Sequence, residues 1–254
     1  MSNISVKQRN QRYTDQGEGD VIILLYGLFG SVKNFHPLIQ HLSQTHRVIV
    51  PIFPFYEMGI AVNIYSLTEF VHELTEDLEL EKFHLLGNSM GGHIALLYTL
   101  KYPGKVESLI LSGSSGLYEN GMGDTYPRRG DYDYIKAKAE FTFYDPRTAS
   151  KELVDEIYET VNSRRAIQII SLAKSTIRNN IEKELYKIHA PCCLIWGRND
   201  TITPPQVAKD FQRLIPHAEL HWINECGHVP MLERPGKFNE LLDHFLQSVY
   251  KTLH

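Results

Sequence analysis

The sequence predicts an α/β fold in which helices cover both faces of a doubly wound, mostly parallel sheet. The first reason is that short apolar runs alternate with amphipathic helical segments along most of the 254 residues, an order typical of strand–helix–strand units. The second is that the run Val21–Tyr26 is continuously apolar. Strands of a parallel sheet that is buried on both faces have this pattern, whereas half-exposed strands alternate.

The first third of the chain supplies the first elements of this sheet. Ile4–Tyr13 has the pattern of one or two edge strands, and Val21–Tyr26 and Arg47–Phe53 are predicted strands. Asn34–Gln44 is predicted to be a short helix between them. A capping-box sequence at Ser66–Glu69 predicts the start of a longer helix, because its apolar residues recur at helical spacing.

The remaining elements of the sheet and its covering helices follow the same order. An apolar strand ends at Leu86, and the helix behind it stops before Pro103, where proline disfavours helix in the preceding residue. Further strands are predicted at Val106–Leu111, Cys192–Gly197 and Glu219–Ile223, and further helices at Pro204–Leu214 and Pro235–Val249.

The chain between Leu111 and Cys192 is much longer than one crossover helix requires. It contains three segments with helical patterns, at Tyr132–Phe143, Ser150–Asn162 and Ala166–Asn179. We therefore expect residues 117–186 to be a helical lid, inserted into a core formed by residues 1–116 and 187–254.

The most informative short motif is Gly-x-Ser-x-Gly, at residues 87–91 between the Phe83–Leu86 strand and an apolar helical pattern. A serine on a tight strand-to-helix turn has an exposed hydroxyl, and the helix N-terminus stabilises negative charge that forms beside it. Alone, the motif is weak, because such a serine is often only part of a turn. An acid and a histidine in suitable positions are needed to support a nucleophilic role for Ser89.

Two later loops supply these groups. Asp200 follows the Cys192–Gly197 strand and His228 follows the Glu219–Ile223 strand. The carboxyl ends of parallel strands meet at one edge of the sheet, where the functional groups of open α/β sheets gather. The alternatives are that Asp200 only belongs to the turn before the next helix and that His228 is an ordinary loop histidine.

With Gly-Asn-Ser-Met-Gly-Gly, Trp-Gly-Arg-Asn-Asp and Cys-Gly-His-Val-Pro-Met-Leu-Glu-Arg-Pro, the chain resembles the α/β-hydrolase superfamily over nearly its whole length. The resemblance implies a sheet of about eight strands with the lid inserted after the sixth strand. It also implies a catalytic triad in the order Ser89, Asp200 and His228.

The same resemblance implies an oxyanion hole formed by the backbone N–H groups of Leu28 and Met90. Relatives usually have histidine where this chain has Tyr26, so the chain departs from the family pattern directly before this loop. The implied chemistry is acyl transfer to water, in which the imidazole activates the hydroxyl and the carboxylate orients the imidazole.

Composition and charge exclude several classes of binding partner. The formal net charge is −4, and no lysine or arginine cluster exceeds a pair, which argues against nucleic acid. The three cysteines are an odd number and argue against a disulfide framework. The N-terminal residues contain no apolar signal core. No run of ~18 apolar residues occurs that would span a membrane. We expect a cytoplasmic monomer or homodimer that needs no cofactor or metal, since His217 and His221 form only a weak metal pattern.

The substrate is the least defined part of the hypothesis. The residues expected to line the pocket are Phe29, Phe141, Phe143, Tyr144 and Val229, which favours a small to medium, largely apolar carboxylic ester. The lid sequence from Phe143 to Asp155 is also similar to that of C–C hydrolases that cleave meta-cleavage-type dienoates, so that reaction is the alternative. A third hypothesis is a ligand-binding receptor or signalling protein with little turnover.

Overall fold

A single mostly parallel sheet organises the computed structural model, which describes residues 12–119 and 128–253. Its strands are β1 (Tyr13–Gln16), β2 (Val21–Leu25), β3 (Arg47–Pro51), β4 (Phe83–Asn88), β5 (Val106–Ser112), β6 (Cys192–Gly197) and β7 (Glu219–Ile223). They lie in the order β1-β3-β2-β4-β5-β6-β7. β1 runs antiparallel to β3, and every other neighbouring pair is parallel.

The central strands are the most deeply buried. Every residue of β4 and β6 is buried, as their mostly apolar sequences predict. The described residues contain seven strands rather than about eight, and the inserted helices follow the fifth of them rather than a sixth. Most of the predicted N-terminal edge segment, Ile4–Tyr13, lies outside the described residues.

Helices cover the sheet. They are α1 (His36–Leu42), α2 (Ile64–Asp77), α3 (Met90–Lys101), α4 (Tyr132–Phe141), α5 (Lys151–Asn162), α6 (Ala166–Arg178), α7 (Pro205–Leu214), α8 (Pro230–Glu233) and α9 (Pro235–Leu253). α3 is buried almost all round because it packs directly behind β4. No helix among residues 12–119 and 128–253 is long and apolar enough to cross a bilayer.

The start of α2 differs from the sequence prediction. The helix begins two residues before Ser66, and its N-cap is Asn63, whose side-chain oxygen accepts the N–H groups of Tyr65 and Ser66 at 3.0 and 3.1 Å. Ser66 completes the capping box from the third helical position by accepting the Asn63 N–H at 3.0 Å. The serine recognised in the sequence is therefore the partner of the cap and not the cap itself.

Helices α4, α5 and α6 form the insertion between β5 and β6. Its described parts contact the core at several points: the N–H of Ile181 donates to Gly116 O at 2.9 Å, and the N–H of Ile64 donates to Ser175 Oγ at 3.1 Å. Residues 120–127 of the expected lid lie outside the described residues. The division into a core and a lid of residues 117–186 stays a prediction.

Candidate active site

Ser89 occupies the turn between β4 and α3 in a backbone conformation that non-glycine residues rarely adopt, with φ 56° and ψ −124°. The surrounding chain holds it there, because its carbonyl oxygen accepts three backbone N–H groups, from Gly92, Ser115 and His93, at 2.9, 3.1 and 3.2 Å. Strain of this kind persists only where neighbouring contacts over-determine it, and it clusters at functional sites.

The turn also requires close approach between strands and helix. A Cβ atom on Gly91 would lie 2.1 Å from the carbonyl oxygen of Leu25, so no larger residue fits without moving β2 or α3. The second glycine of the Gly-x-Ser-x-Gly motif is therefore needed for this close approach.

Asp200 and His228 form a buried, hydrogen-bonded pair. The Nδ1 atom of His228 lies 2.9 Å from Oδ2 and 3.1 Å from Oδ1 of Asp200, and the two side chains are 6% and 0% exposed. Oδ1 also accepts the N–H groups of Ile202 and Thr203 at 2.9 Å each, while Oδ2 accepts the Thr203 hydroxyl at 2.8 Å. Asp200 therefore organises its own turn and orients the imidazole at the same time.

The backbone of His228 is fixed on both sides. Its N–H donates to Thr142 O at 3.0 Å, and its carbonyl oxygen accepts the side-chain amide of Asn88 at 3.0 Å. Because Nδ1 faces Asp200, Nε2 is the ring nitrogen left for the cavity that Ser89 and His228 both line. Within the described chain no hydrogen bond joins Ser89 Oγ to His228, and catalytic hydrogen bonds commonly tighten only when substrate is bound.

The electrostatic surroundings favour a charged imidazole. Burial lowers the pKa of His228, but the charge and hydrogen bond of Asp200, with smaller contributions from the carboxylates Glu119 and Glu233, outweigh it and raise the pKa above its usual value. This effect suits a base that must hold a proton during a reaction.

The loop after β2 lies against Ser89. A Cβ atom on Gly27 would be 2.9 Å from Ser89 Cβ, so Leu28 is held beside the serine, and both Leu28 and Met90 line the cavity. Met90 is the first residue of α3, where backbone N–H groups have no partner within the helix. Their predicted role as oxyanion donors is compatible with this placement and stays a prediction.

Tyr26, which replaces the usual histidine, is buried and serves the structure of this loop. Its hydroxyl accepts the backbone N–H of Phe53 at 2.8 Å, and its ring makes edge contacts with Phe53 and Phe55. Burial raises the pKa of Tyr26 to about 12, so it is neutral at physiological pH. The aromatic segment after β3 thus packs on Tyr26 beneath the loop.

The cavity beside Ser89 has a volume of about 290 Å³, at the small end of ligand pockets. Four of the five predicted lining residues do line it: Phe29, Phe141, Phe143 and Val229. The prediction for Tyr144 is wrong, because this residue lies outside the cavity and is 44% exposed. Its N–H donates to Glu233 at 2.8 Å, which turns the chain away from the pocket directly after Phe143.

Three residues that sequence reasoning missed surround the predicted triad. Thr203 bonds Asp200, Glu233 accepts the Gly227 N–H at 2.8 Å, and Glu119 lines the cavity. For Thr203 the spacing of three residues from Asp200 was the available signal, since an aspartate side chain can accept the backbone N–H groups two and three residues further on, as at a helix N-cap. Within residues 12–119 and 128–253 no group of three or more His, Cys, Asp or Glu is arranged to hold a metal ion.

Comparisons with known proteins agree with this architecture. The family profile described as alpha/beta hydrolase fold matches residues 20–164 and 146–235. Lipase 1 of Psychrobacter immobilis is 27% identical over 243 residues, which are 87% of this chain and 75% of the lipase. The 2-hydroxy-6-oxononadienedioate/2-hydroxy-6-oxononatrienedioate hydrolase 2 of Pseudomonas putida is 27% identical over 269 residues, 92% of this chain and 91% of that enzyme.

A solved structure is more similar in sequence. MGS-MChE2, an alpha/beta hydrolase enzyme from the metagenome of lagoon sediments at Mar Chica, Morocco, is 36% identical, with a TM-score of 0.77 and coverage of 95% of this chain and 97% of its own. The sheet order, the serine turn and these similarities lead to one conclusion: the chain belongs to the alpha/beta hydrolase family and is a hydrolase.

Proposed function

We propose that this hydrolase cleaves small to medium, largely apolar carboxylic esters through an acyl-enzyme on Ser89. The observation that carries the proposal is the buried Asp200–His228 pair, 2.9 Å between Oδ2 and Nδ1, at the cavity that also contains Ser89 on its strained turn. A carboxylate, an imidazole and a serine hydroxyl gathered at one cavity are the groups that nucleophilic acyl transfer requires.

In this mechanism Nε2 of His228 takes the proton of the Ser89 hydroxyl as its oxygen attacks the ester carbonyl. The imidazolium, stabilised by Asp200, then protonates the departing alkoxide, and a water molecule activated by the same imidazole releases the acid. The contribution of Asp200 is to fix the tautomer: by accepting from Nδ1–H it leaves the lone pair on Nε2.

The oxyanion formed in each tetrahedral intermediate would lie between the N–H groups of Leu28 and Met90. Two features support this part of the proposal: the close contact of Gly27 with Ser89, and the position of Met90 at the N-terminus of α3. Each such donor is typically worth about 10²–10³ in rate. The insertion would act as a lid, because α4, α5 and α6 all contribute residues to the cavity.

The proposal is tested with p-nitrophenyl esters of increasing acyl length, assayed with the wild-type enzyme and with Ser89→Ala. We expect the variant to lose at least about 10³-fold in kcat, because no other activated nucleophile takes its place. A matched control is Ser43→Ala, at the C-terminus of α1 and outside the cavity. Equal turnover by wild type and Ser89→Ala would refute the role of Ser89.

Cleavage of a carbon–carbon bond is the second candidate, favoured by the similarity to the dienedioate hydrolase of Pseudomonas putida. The same panel therefore includes a vinylogous diketone dienoate. Faster turnover of the dienoate than of every ester would favour this reaction. Tight binding of a panel member with negligible turnover would instead support a ligand-binding role.

A further inference from the structure

Glu119 places a carboxylate in a cavity that is otherwise mostly apolar. It lies at the entrance to the insertion, shortly after β5, and it lines the same cavity as Ser89 and His228. Its Oε2 accepts the hydroxyl of Ser115 at 2.8 Å, and its Oε1 lies 3.1 Å from the hydroxyl of Thr176, on α6, whose single hydrogen is shared with Ala173 O at 2.8 Å. Each oxygen keeps capacity for a further donor, since a carboxylate accepts about four hydrogen bonds.

Neither hydroxyl neutralises the charge. Among the ion pairs of the described residues, none involves Glu119. Its charge reaches the proposed catalytic centre, because it contributes to the raised pKa of His228. A ligand in this cavity therefore experiences a negative field from one side.

Among the described residues, the other charged side chain that lines the cavity, apart from the imidazole, is Lys138. Lys138 is exposed at the surface of α4, and its ammonium lies 5.7 Å from the centre of the Tyr134 ring. Charges in contact with solvent are strongly screened, whereas partly buried charges are screened less. Glu119, which is half-buried, consequently dominates the field inside the cavity.

We propose that Glu119 makes this cavity select substrates by charge, so that it favours neutral esters and esters carrying an ammonium or hydroxyl donor and disfavours those carrying a second, anionic group. This inference rests on the proposed ester hydrolysis and specifies its substrate class. A substrate donor would hydrogen-bond Oε1 or Oε2, while a substrate carboxylate would be repelled in a site with few compensating donors.

The inference also separates this chain from some of its relatives. The hydrolase of Pseudomonas putida acts, by its name, on dienedioates, which carry two carboxylates. A cavity lined by the Glu119 carboxylate, which forms no ion pair with another described residue, is unsuited to such a substrate. Charge selection by Glu119 therefore favours ester over dienedioate cleavage here.

The test compares three p-nitrophenyl esters of nearly equal acyl length: those of heptanoic acid, ε-aminohexanoic acid and adipic acid, the last as its monoester. They differ at the far end of the acyl chain, which is neutral, cationic or anionic. We expect wild-type kcat/KM to be at least about tenfold higher for the cationic than for the anionic ester, and the ratio to shrink as salt is added. Glu119→Gln should reduce that ratio by about tenfold or more.

Two further variants distinguish charge from structure. Thr176→Val removes the hydrogen bond to α6 but keeps the carboxylate, so the cation-to-anion ratio should persist whatever happens to turnover. Glu140→Gln removes a carboxylate of α4 that does not line the cavity and should leave the ratio unchanged.

A wild-type enzyme that treats the three esters alike, at low and at high salt, would overturn the inference, as would an unchanged ratio in Glu119→Gln. An equal loss of the ratio in Thr176→Val and Glu119→Gln would also overturn it, because Glu119 would then act by holding α6 through Thr176 and not by its charge. None of these results bears on Ser89, whose role is refuted only by undiminished turnover in Ser89→Ala.

Discussion

Replacing Asp200 by asparagine tests whether this side chain controls the tautomer of His228. In the wild type, Oδ1 of Asp200 accepts two backbone N–H groups, from Ile202 and Thr203, at 2.9 Å each. Asparagine has one oxygen, and these buried donors will hold it at the Oδ1 position. Its NH₂ group then occupies the position of Oδ2, 2.9 Å from Nδ1 of His228. Since NH₂ can only donate, Nδ1 must lose its hydrogen, which moves to Nε2.

The size of the effect follows from the cost of the opposite amide orientation. That orientation would leave two backbone N–H groups without their acceptor, at about 1–3 kcal/mol each, or about 2–6 kcal/mol in total. With about 1.4 kcal/mol for each factor of ten, the competent tautomer would be populated in about one molecule in 30 to one in 10⁴. We therefore expect kcat of Asp200→Asn to fall by about 30-fold to about 10⁴-fold.

The assay is hydrolysis of the best p-nitrophenyl ester, with circular dichroism to verify folding. Asp77→Asn, on the surface beside Arg12, is the matched control and should keep wild-type turnover. If folded Asp200→Asn retains more than about a tenth of wild-type kcat, the tautomer argument fails.

Four other outcomes are expected. Because activity needs a neutral His228, whose pKa is raised, kcat/KM should fall as pH drops through a value above about 6.5, and Glu119→Gln should move this fall to lower pH. The Asp200–His228 pair stabilises the fold fully below the pKa of about 6.5 that histidine has in the unfolded chain, and this contribution is lost as pH rises through the raised pKa of His228 in the folded protein. Thermal melts of wild type and a His228→Gln variant across this pH range would show the loss. Tyr26→Phe leaves the buried Phe53 N–H without its acceptor and should lower the unfolding free energy by about 1–3 kcal/mol in urea titration. Glu233→Gln replaces one of two acceptor oxygens by a donor, so we expect a similar loss of stability together with a lower kcat.

Much of the fold was predictable because local patterns and final structure agree. β4 and α3 are recognisable from a continuous apolar run, a glycine-flanked turn and a helical run, and the structure places them at Phe83–Asn88 and Met90–Lys101. The positions of Ser89, Asp200 and His228 at one edge of the sheet were predictable for a topological reason, since each follows a parallel strand.

What escaped prediction depends on contacts between distant parts of the chain. Glu119 and Thr176 are 57 residues apart in sequence, and no local pattern indicates that their side chains meet. Tyr144 was expected in the pocket as one of the aromatic lid residues, but Glu233, 89 residues further on, accepts its N–H and turns the chain outward. Local spacing identifies faces of helices and strands, whereas such loop directions are decided by tertiary hydrogen bonds.

Hydrogen bonds at the end of α4 imply that the insertion and the proposed catalytic groups are mechanically coupled. This end of the helix accepts hydrogen bonds from the loops that carry His228 and Asp200. Thr142 O accepts the N–H of His228 at 3.0 Å, and Phe141 O accepts the hydroxyl of Thr201, next to Asp200, at 2.8 Å. Phe141 and Thr142 also line the cavity. A substitution that shifts α4 to admit a larger acyl group will therefore move the imidazole and its carboxylate as well. Pocket size and turnover are consequently linked at this end of the insertion, and residues of α5 and α6 are the better positions at which to change specificity alone.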